Sequence, residues 1–92
     1  MKLAVLGTGM IVKEVLPVLQ KIEGIDLVAI LSTVRSLETA KDLAKEYNMS
    51  LATSEYKAVL DNEEIDTVYI GLPNHLHFDY AKEALLAGKH VI

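Results

Sequence analysis

The stretch Leu3-Ala4-Val5-Leu6-Gly7-Thr8-Gly9, at the start of this 92-residue chain, decides its fold. Four apolar residues in a row, without polar alternation, read as a strand buried on both faces, and such strands belong to parallel sheets. Gly7, Thr8 and Gly9 then predict a tight turn. From Met10 to about Ile22 the apolar residues Ile11, Val15, Val18, Leu19 and Ile22 recur at spacings of three and four. The turn therefore opens into an amphipathic helix, with those five side chains expected to face the sheet. Pro17 lies inside it, lacks an amide donor and crowds the carbonyl of Lys13, so a bend rather than a break is expected. Gly24 closes the helix region and Ile25 to Leu31 reads as a second strand, which makes a βαβ unit.

The same alternation continues outward. Ser36 is the expected N-cap of a helix carried by Leu37, Ala40, Leu43, Ala44 and Tyr47 up to Asn48. Leu51 to Thr53 has room only for a short strand, Ser54 or Glu55 opens a short helix through Leu60, and Asp61 to Glu64 form an acidic loop. Asp66 to Ile70 reads as a strand closed by Gly71, Leu72 and Pro73. Asn74 is the expected cap of a helix that turns Leu76, Tyr80, Ala81, Ala84 and Leu85 inward and ends at Gly88. His90, Val91 and Ile92 open one more strand. The order βαβαβαβαβ, without repeat or linker, selects an α/β fold: an open, doubly wound parallel sheet with helices on both faces. A chain that stops on the first residues of a strand reads as a partial domain over residues 1–92, with a C-terminal remainder absent.

Composition narrows the function. Half of the residues are hydrophobic and a quarter charged, an ordinary globular balance. The net charge of -4 comes from interleaved acids and bases, with no basic stripe for a nucleic-acid backbone. Cysteine is absent, which removes disulfides, thiolate zinc sites and cysteine nucleophiles and fits a cytoplasmic setting. No segment resembles a signal peptide or membrane span, and no cluster has metal-ligand spacing.

The glycine turn carries the first two glycines of the dinucleotide fingerprint, at the point where a strand becomes a helix. The first glycine permits the turn; the second lets backbone amides at the helix N-terminus approach a pyrophosphate. Val12 stands where the third glycine belongs, and a bare turn without ligand is the alternative. At the end of the second strand, Ser32-Thr33-Val34-Arg35-Ser36 has no acid to accept a ribose 2′-hydroxyl. Hydroxyls beside an arginine suit a 2′-phosphate, so NADP(H) is preferred over NAD(H). In the alternative, Ser32 and Ser36 cap the loop and helix while Arg35 is solvated. Leu72-Pro73-Asn74-His75-Leu76-His77 ends the fourth strand on the same sheet edge, where ligands of such folds bind; His75 and His90 read as structural.

Taken together, these segments resemble the glucose-fructose oxidoreductase, inositol dehydrogenase and MocA (Gfo/Idh/MocA) family over the whole chain. The resemblance lies in Gly7-Thr8-Gly9-Met10-Ile11 with Leu16-Pro17, in Ser32 to Ser36, in Asp66 to Asn74 with His77, and in Ala87-Gly88-Lys89-His90-Val91-Ile92. It implies an NAD(P)-dependent oxidoreductase that moves a hydride between the cofactor and a sugar, inositol or related polyol or ketone, with a second α/β domain that shapes the substrate pocket and mediates homo-oligomerisation. By that resemblance Gly7, Thr8, Gly9, Met10 and Ile11 would line the pyrophosphate. Ser32, Thr33 and Arg35 would meet the adenosine ribose or its phosphate, and Leu72, Pro73, Asn74 and His77 the nicotinamide side. The family's Glu-Lys-Pro motif and catalytic acid and histidine would fall beyond Ile92, so no catalytic residue is expected here and these 92 residues alone would be inactive. A stand-alone dinucleotide-binding or interaction module without turnover is the alternative.

Overall fold

The computed structural model describes residues 1–92. Strands β1 (Lys2–Leu6), β2 (Asp26–Leu31), β3 (Leu51–Thr53), β4 (Thr67–Ile70) and β5 (His90–Val91) alternate with helices α1 (Met10–Lys21), α2 (Leu37–Glu46), α3 (Tyr56–Leu60) and α4 (Asn74–Leu86). The strands form one parallel sheet in the order β3-β2-β1-β4-β5. From β1 the chain first steps outward to β2 and β3, then returns to place β4 on the other side of β1. The sheet thus has a switch point between β1 and β4, where their C-terminal ends diverge into different connections.

Two cores cover the two faces. Leu3, Val5 and Ile30 pack with Val12, Leu16 and Leu19 of α1 and Ala40, Leu43 and Ala44 of α2. On the opposite face Ala4, Leu6, Val68 and Ile70 pack with Val59 of α3 and Ala84 of α4. The continuous apolar runs of β1 and β2 are the price of burial on both sides. The register slips between Leu3 and Ala4, which pair with Leu27 and Ala29, leaving Val28 as an extra residue on β2.

The α1 face differs from the expected one. Val12, Leu16 and Leu19 are buried, with Val15 packed beside them, whereas Ile11, Val18 and Ile22 are exposed. The helix carries two overlapping apolar stripes, and spacing alone does not choose between them. Packing against the sheet chooses, turning Val12, Leu16 and Leu19 onto Leu3, Val5 and Ile30. The same happens in α4, where Ala84 is buried and Leu85 exposed. Helix α1 runs unbroken through Pro17.

Two caps also differ. Pro73, in extended conformation, holds the N-cap position of α4, so Asn74 is its first helical residue and supplies no side-chain cap. The chain is already committed by proline's fixed φ, one residue before asparagine could act. Ser36 does hold the N-cap position of α2, but its hydroxyl does not cap the helix; its amide instead donates to Oγ1 of Thr33 at 3.2 Å.

Lys89 is 7% exposed, its Nζ donating to the carbonyls of Ile65 at 2.7 Å and Asn62 at 3.0 Å. The ammonium ties the loop before β4 to the start of β5 at the sheet edge remote from the glycine turn. At that edge the Asp66 carboxylate accepts from the Lys2 amide at 3.1 and 3.2 Å and from Oγ1 of Thr67 at 2.7 Å. These bonds, that from Thr67 first, hold its carboxyl below the usual carboxylate range.

Candidate functional site

The C-terminal ends of β1, β2, β3 and β4 border one cleft of about 300 Å³. Gly7, Thr8 and Gly9 contribute its floor from the first turn. Leu31, Ser32, Thr33 and Ser36 come from the end of β2, Ser54 and Tyr56 from the end of β3, and Gly71, Leu72, Pro73, Leu76 and Tyr80 from the β4 side. A wider depression lies at the opposite end of the strands, around Asp26, Tyr47 and Ser50, away from the switch point.

Gly7 is demanded by the fold itself. Its φ is +114°, and a Cβ there would stand 2.5 Å from the carbonyl oxygen of Gly71. Its amide donates to the Leu31 carbonyl at 2.8 Å, which fixes the turn over the end of β2. Gly9 has no such reason. Its φ of -76° and ψ of -174° are open to any residue, and a Cβ on it would meet no protein atom within 4 Å. As N-cap of α1 it stands before the helix's unpaired first amides, the earliest helical bond being from Lys13 to its carbonyl at 3.1 Å. No acid occupies the first turn of α1 or α4, and no residue lining the cleft is charged. The positive end of α1 is therefore not neutralised from within the chain.

The far wall is aromatic. Tyr56 and Tyr80 have ring centroids 4.8 Å apart at 37°, and Oη of Tyr56 donates to the Tyr80 carbonyl at 2.8 Å. Burial, then the nearby Glu83 and Tyr80, push the Tyr56 hydroxyl up to about 12, so it remains a donor. Near the β2 end, Oγ of Ser32 donates to the Thr33 carbonyl at 2.8 Å. Of the residues expected at a site, Gly7, Thr8, Gly9, Ser32, Thr33, Leu72 and Pro73 meet in this cleft. Met10 and Ile11 are 78% and 60% exposed, and they, Arg35, Asn74 and His77 project outside its lining. Tyr56, Tyr80, Ser54 and Gly71 were missed. Only Gly71, a glycine directly after a strand, carried a local signal.

A parallel sheet in this strand order, with a glycine turn at its switch point, defines the dinucleotide-binding class of doubly wound α/β domains. Residues 1–92 match the Gfo/Idh/MocA oxidoreductase family, NAD-binding Rossmann fold, and the chain belongs to that family as its NAD(P)-binding domain. A D-xylose 1-dehydrogenase (NADP(+)) of Haloferax volcanii is 39% identical over 100% of this chain and 28% of its own length. The scyllo-inositol 2-dehydrogenase (NADP(+)) IolU of Bacillus subtilis is 34% identical over 99% of this chain and 27% of its own. The crystal structure of KijD10, a 3-ketoreductase of Actinomadura kijaniata in complex with NADP and TDP-benzene, superposes with a TM-score of 0.90 at 31% identity, covering 100% of this chain and 28% of that one. The chain thus spans about a quarter of the length of the curated relatives it matches. No helix is long and apolar enough to cross a membrane.

Proposed function

We propose that the cleft binds NADP(H) in preference to NAD(H), as the cofactor site of an oxidoreductase acting on a sugar, inositol or related polyol or ketone. The observation that carries the reading is Gly9: the fold gives no reason for a glycine there, and a cofactor backbone approaching the α1 amides does. When bound, the nicotinamide supplies the hydride chemistry, and the residues of this chain bind and orient it. Gly7, Thr8 and Gly9 leave the pyrophosphate room at the helix N-terminus, with the amides of Met10 and Ile11 as donors; the exposure of those two side chains is compatible with a role for their backbone alone. Ser32 and Thr33 take the adenosine ribose, and Arg35, free in solvent beside them, pairs with its 2′-phosphate. Leu72 and Pro73 flank the nicotinamide side, with Asn74 and His77 beyond them on the first turns of α4. The relatives active on xylose and on inositol support the substrate class, and their NADP(+) names support the cofactor. In the same reading a second α/β domain completes the substrate pocket and joins subunits.

Titration of the folded chain with NADPH and NADH, followed by nucleotide fluorescence, tests this. NADPH is expected to bind more tightly, and Arg35→Ala to remove that advantage by about tenfold, the value of one charge-assisted bond. Equal binding of both nucleotides would refute the cofactor preference, and binding of neither would refute the site.

A further inference from the structure

We propose that Gly71 is a positioning residue for the dinucleotide, and that it takes over, from the end of β4, the close-packing role that the fingerprint gives to the glycine replaced here by Val12. The inference rests on the cofactor reading of the cleft. In the fingerprint the third glycine lies on the helix and lets helix and strand approach. In this chain the helix carries the bulk and the strand end carries the gap. Val12 lies in the first turn of α1 and is fully buried. A Cβ built on Gly71 would overlap Cγ2 of Val12, and it would stand 3.2 Å from the Leu6 carbonyl oxygen and 3.6 Å from Cε1 of Tyr69. The φ of Gly71 is not in the left-handed region, so space alone calls for glycine there.

The consequence reaches the cleft because Gly71 lines it, as does Gly7, against which Gly71 is packed. The Gly71 amide donates to the Leu6 carbonyl at 2.9 Å, and its own carbonyl oxygen is the atom that a side chain at Gly7 would strike. Val12, Gly71 and Gly7 therefore interlock the turn after β1 with the turn after β4. That contact sets how far the α1 amides stand from Leu72 and Pro73 across the cleft. A methyl on Gly71 pushes these two walls apart, and deletion of the Val12 methyls lets them close again.

The experiment is a double-variant cycle on the chain, reading NADPH affinity and melting temperature together. Gly71→Ala is expected to weaken NADPH binding by about tenfold or more, since misplacement of a binding wall is transmitted directly to the ligand. Val12→Ala alone is expected to change it by less than about threefold, and Val12→Ala with Gly71→Ala to return to within about threefold of Val12→Ala. A merely structural role for Gly71 would shift melting without this rescue of affinity. Where Gly71→Ala alone does not fold, a double variant that folds and binds supports the pairing, and one that does not overturns it, since the obstruction then lies with the Leu6 carbonyl. Unchanged binding by Gly71→Ala, or a double variant no better than the single one, likewise overturns it. A wild-type chain that binds neither NADPH nor NADH overturns the cofactor reading and this inference with it; a binding wild type with an indifferent Gly71→Ala overturns this inference alone.

Discussion

Alanine at Gly7 and at Gly9 separates what the glycine turn does for the fold from what it does for a ligand. At Gly7 the φ of +114° is closed to most residues with a Cβ, and the new methyl would lie 2.5 Å from the Gly71 carbonyl oxygen. The backbone conformation costs on the order of 1–3 kcal/mol, and overpacking against a carbonyl fixed by its neighbours adds about 1–3 kcal/mol. A chain of this size has a total stability of only about 5–14 kcal/mol. At about 4–8 °C per kcal/mol, Gly7→Ala should melt at least roughly 8 °C below the wild type. At Gly9 the backbone is ordinary and no protein atom lies within 4 Å of the new methyl. Alanine is a poorer N-cap by up to about 1 kcal/mol, but it restricts the unfolded chain by about 0.4–1 kcal/mol in compensation. The melting temperature of Gly9→Ala should therefore stay within about 4 °C of wild type. Its NADPH affinity should nevertheless fall roughly ten- to hundredfold, because a methyl at the helix entrance denies a phosphate its charge-assisted bonds, about 1.5–3 kcal/mol. Circular-dichroism melts and a fluorescence titration on the same samples give both numbers. If Gly9→Ala melts as early as Gly7→Ala, or binds NADPH like the wild type, the reasoning fails.

Three further outcomes are expected. Lys89→Met leaves the Ile65 carbonyl without its donor, while the Asn62 carbonyl keeps the Ile65 amide at 3.1 Å, and at about 1–3 kcal/mol for one unpaired group the melting temperature should fall by roughly 4 °C or more; an unchanged melt would show that the Ile65 carbonyl finds another partner. The Asp66 carboxyl is held below its ordinary value in the folded chain, so its contribution is present above about pH 4 and lost as the pH falls through the lower folded value. Melting curves of Asp66→Asn and wild type should accordingly converge on acidification and separate near neutrality. Tyr56 shows the opposite sign: with its hydroxyl pushed up to about 12, its contribution is complete below the ordinary value of about 10 and is lost as the pH rises toward the folded one. Tyr56→Phe should remove a phenol that ionises well above the ordinary range in an ultraviolet titration and cost about 1 kcal/mol in a urea melt, through loss of the bond to the Tyr80 carbonyl.

The order of elements, the parallel sheet and the edge at which the cleft opens were legible in the sequence. These depend on local signals: an unbroken apolar run in β1, a glycine turn directly after it, and alternating strand and helix periods. The residues from that same turn, with Ser32, Thr33, Leu72 and Pro73, were readable because each sits directly after a strand, and parallel strands present those ends together. What the tertiary structure alone decided is how the elements face one another. Helix α1 carries two apolar stripes of equal local merit, and only packing against the sheet selects Val12 over Ile11. Gly71 gains its meaning from Val12, Tyr56 from the carbonyl of Tyr80, and Lys89 from two carbonyls near the start of β4. Each of these partners is 24 or more residues away along the chain or, like Asn74 behind Pro73, displaced by one position at a helix start. Periodicity and capping preferences act over a few residues, whereas shape complementarity and hydrogen-bond satisfaction are settled only when distant segments meet.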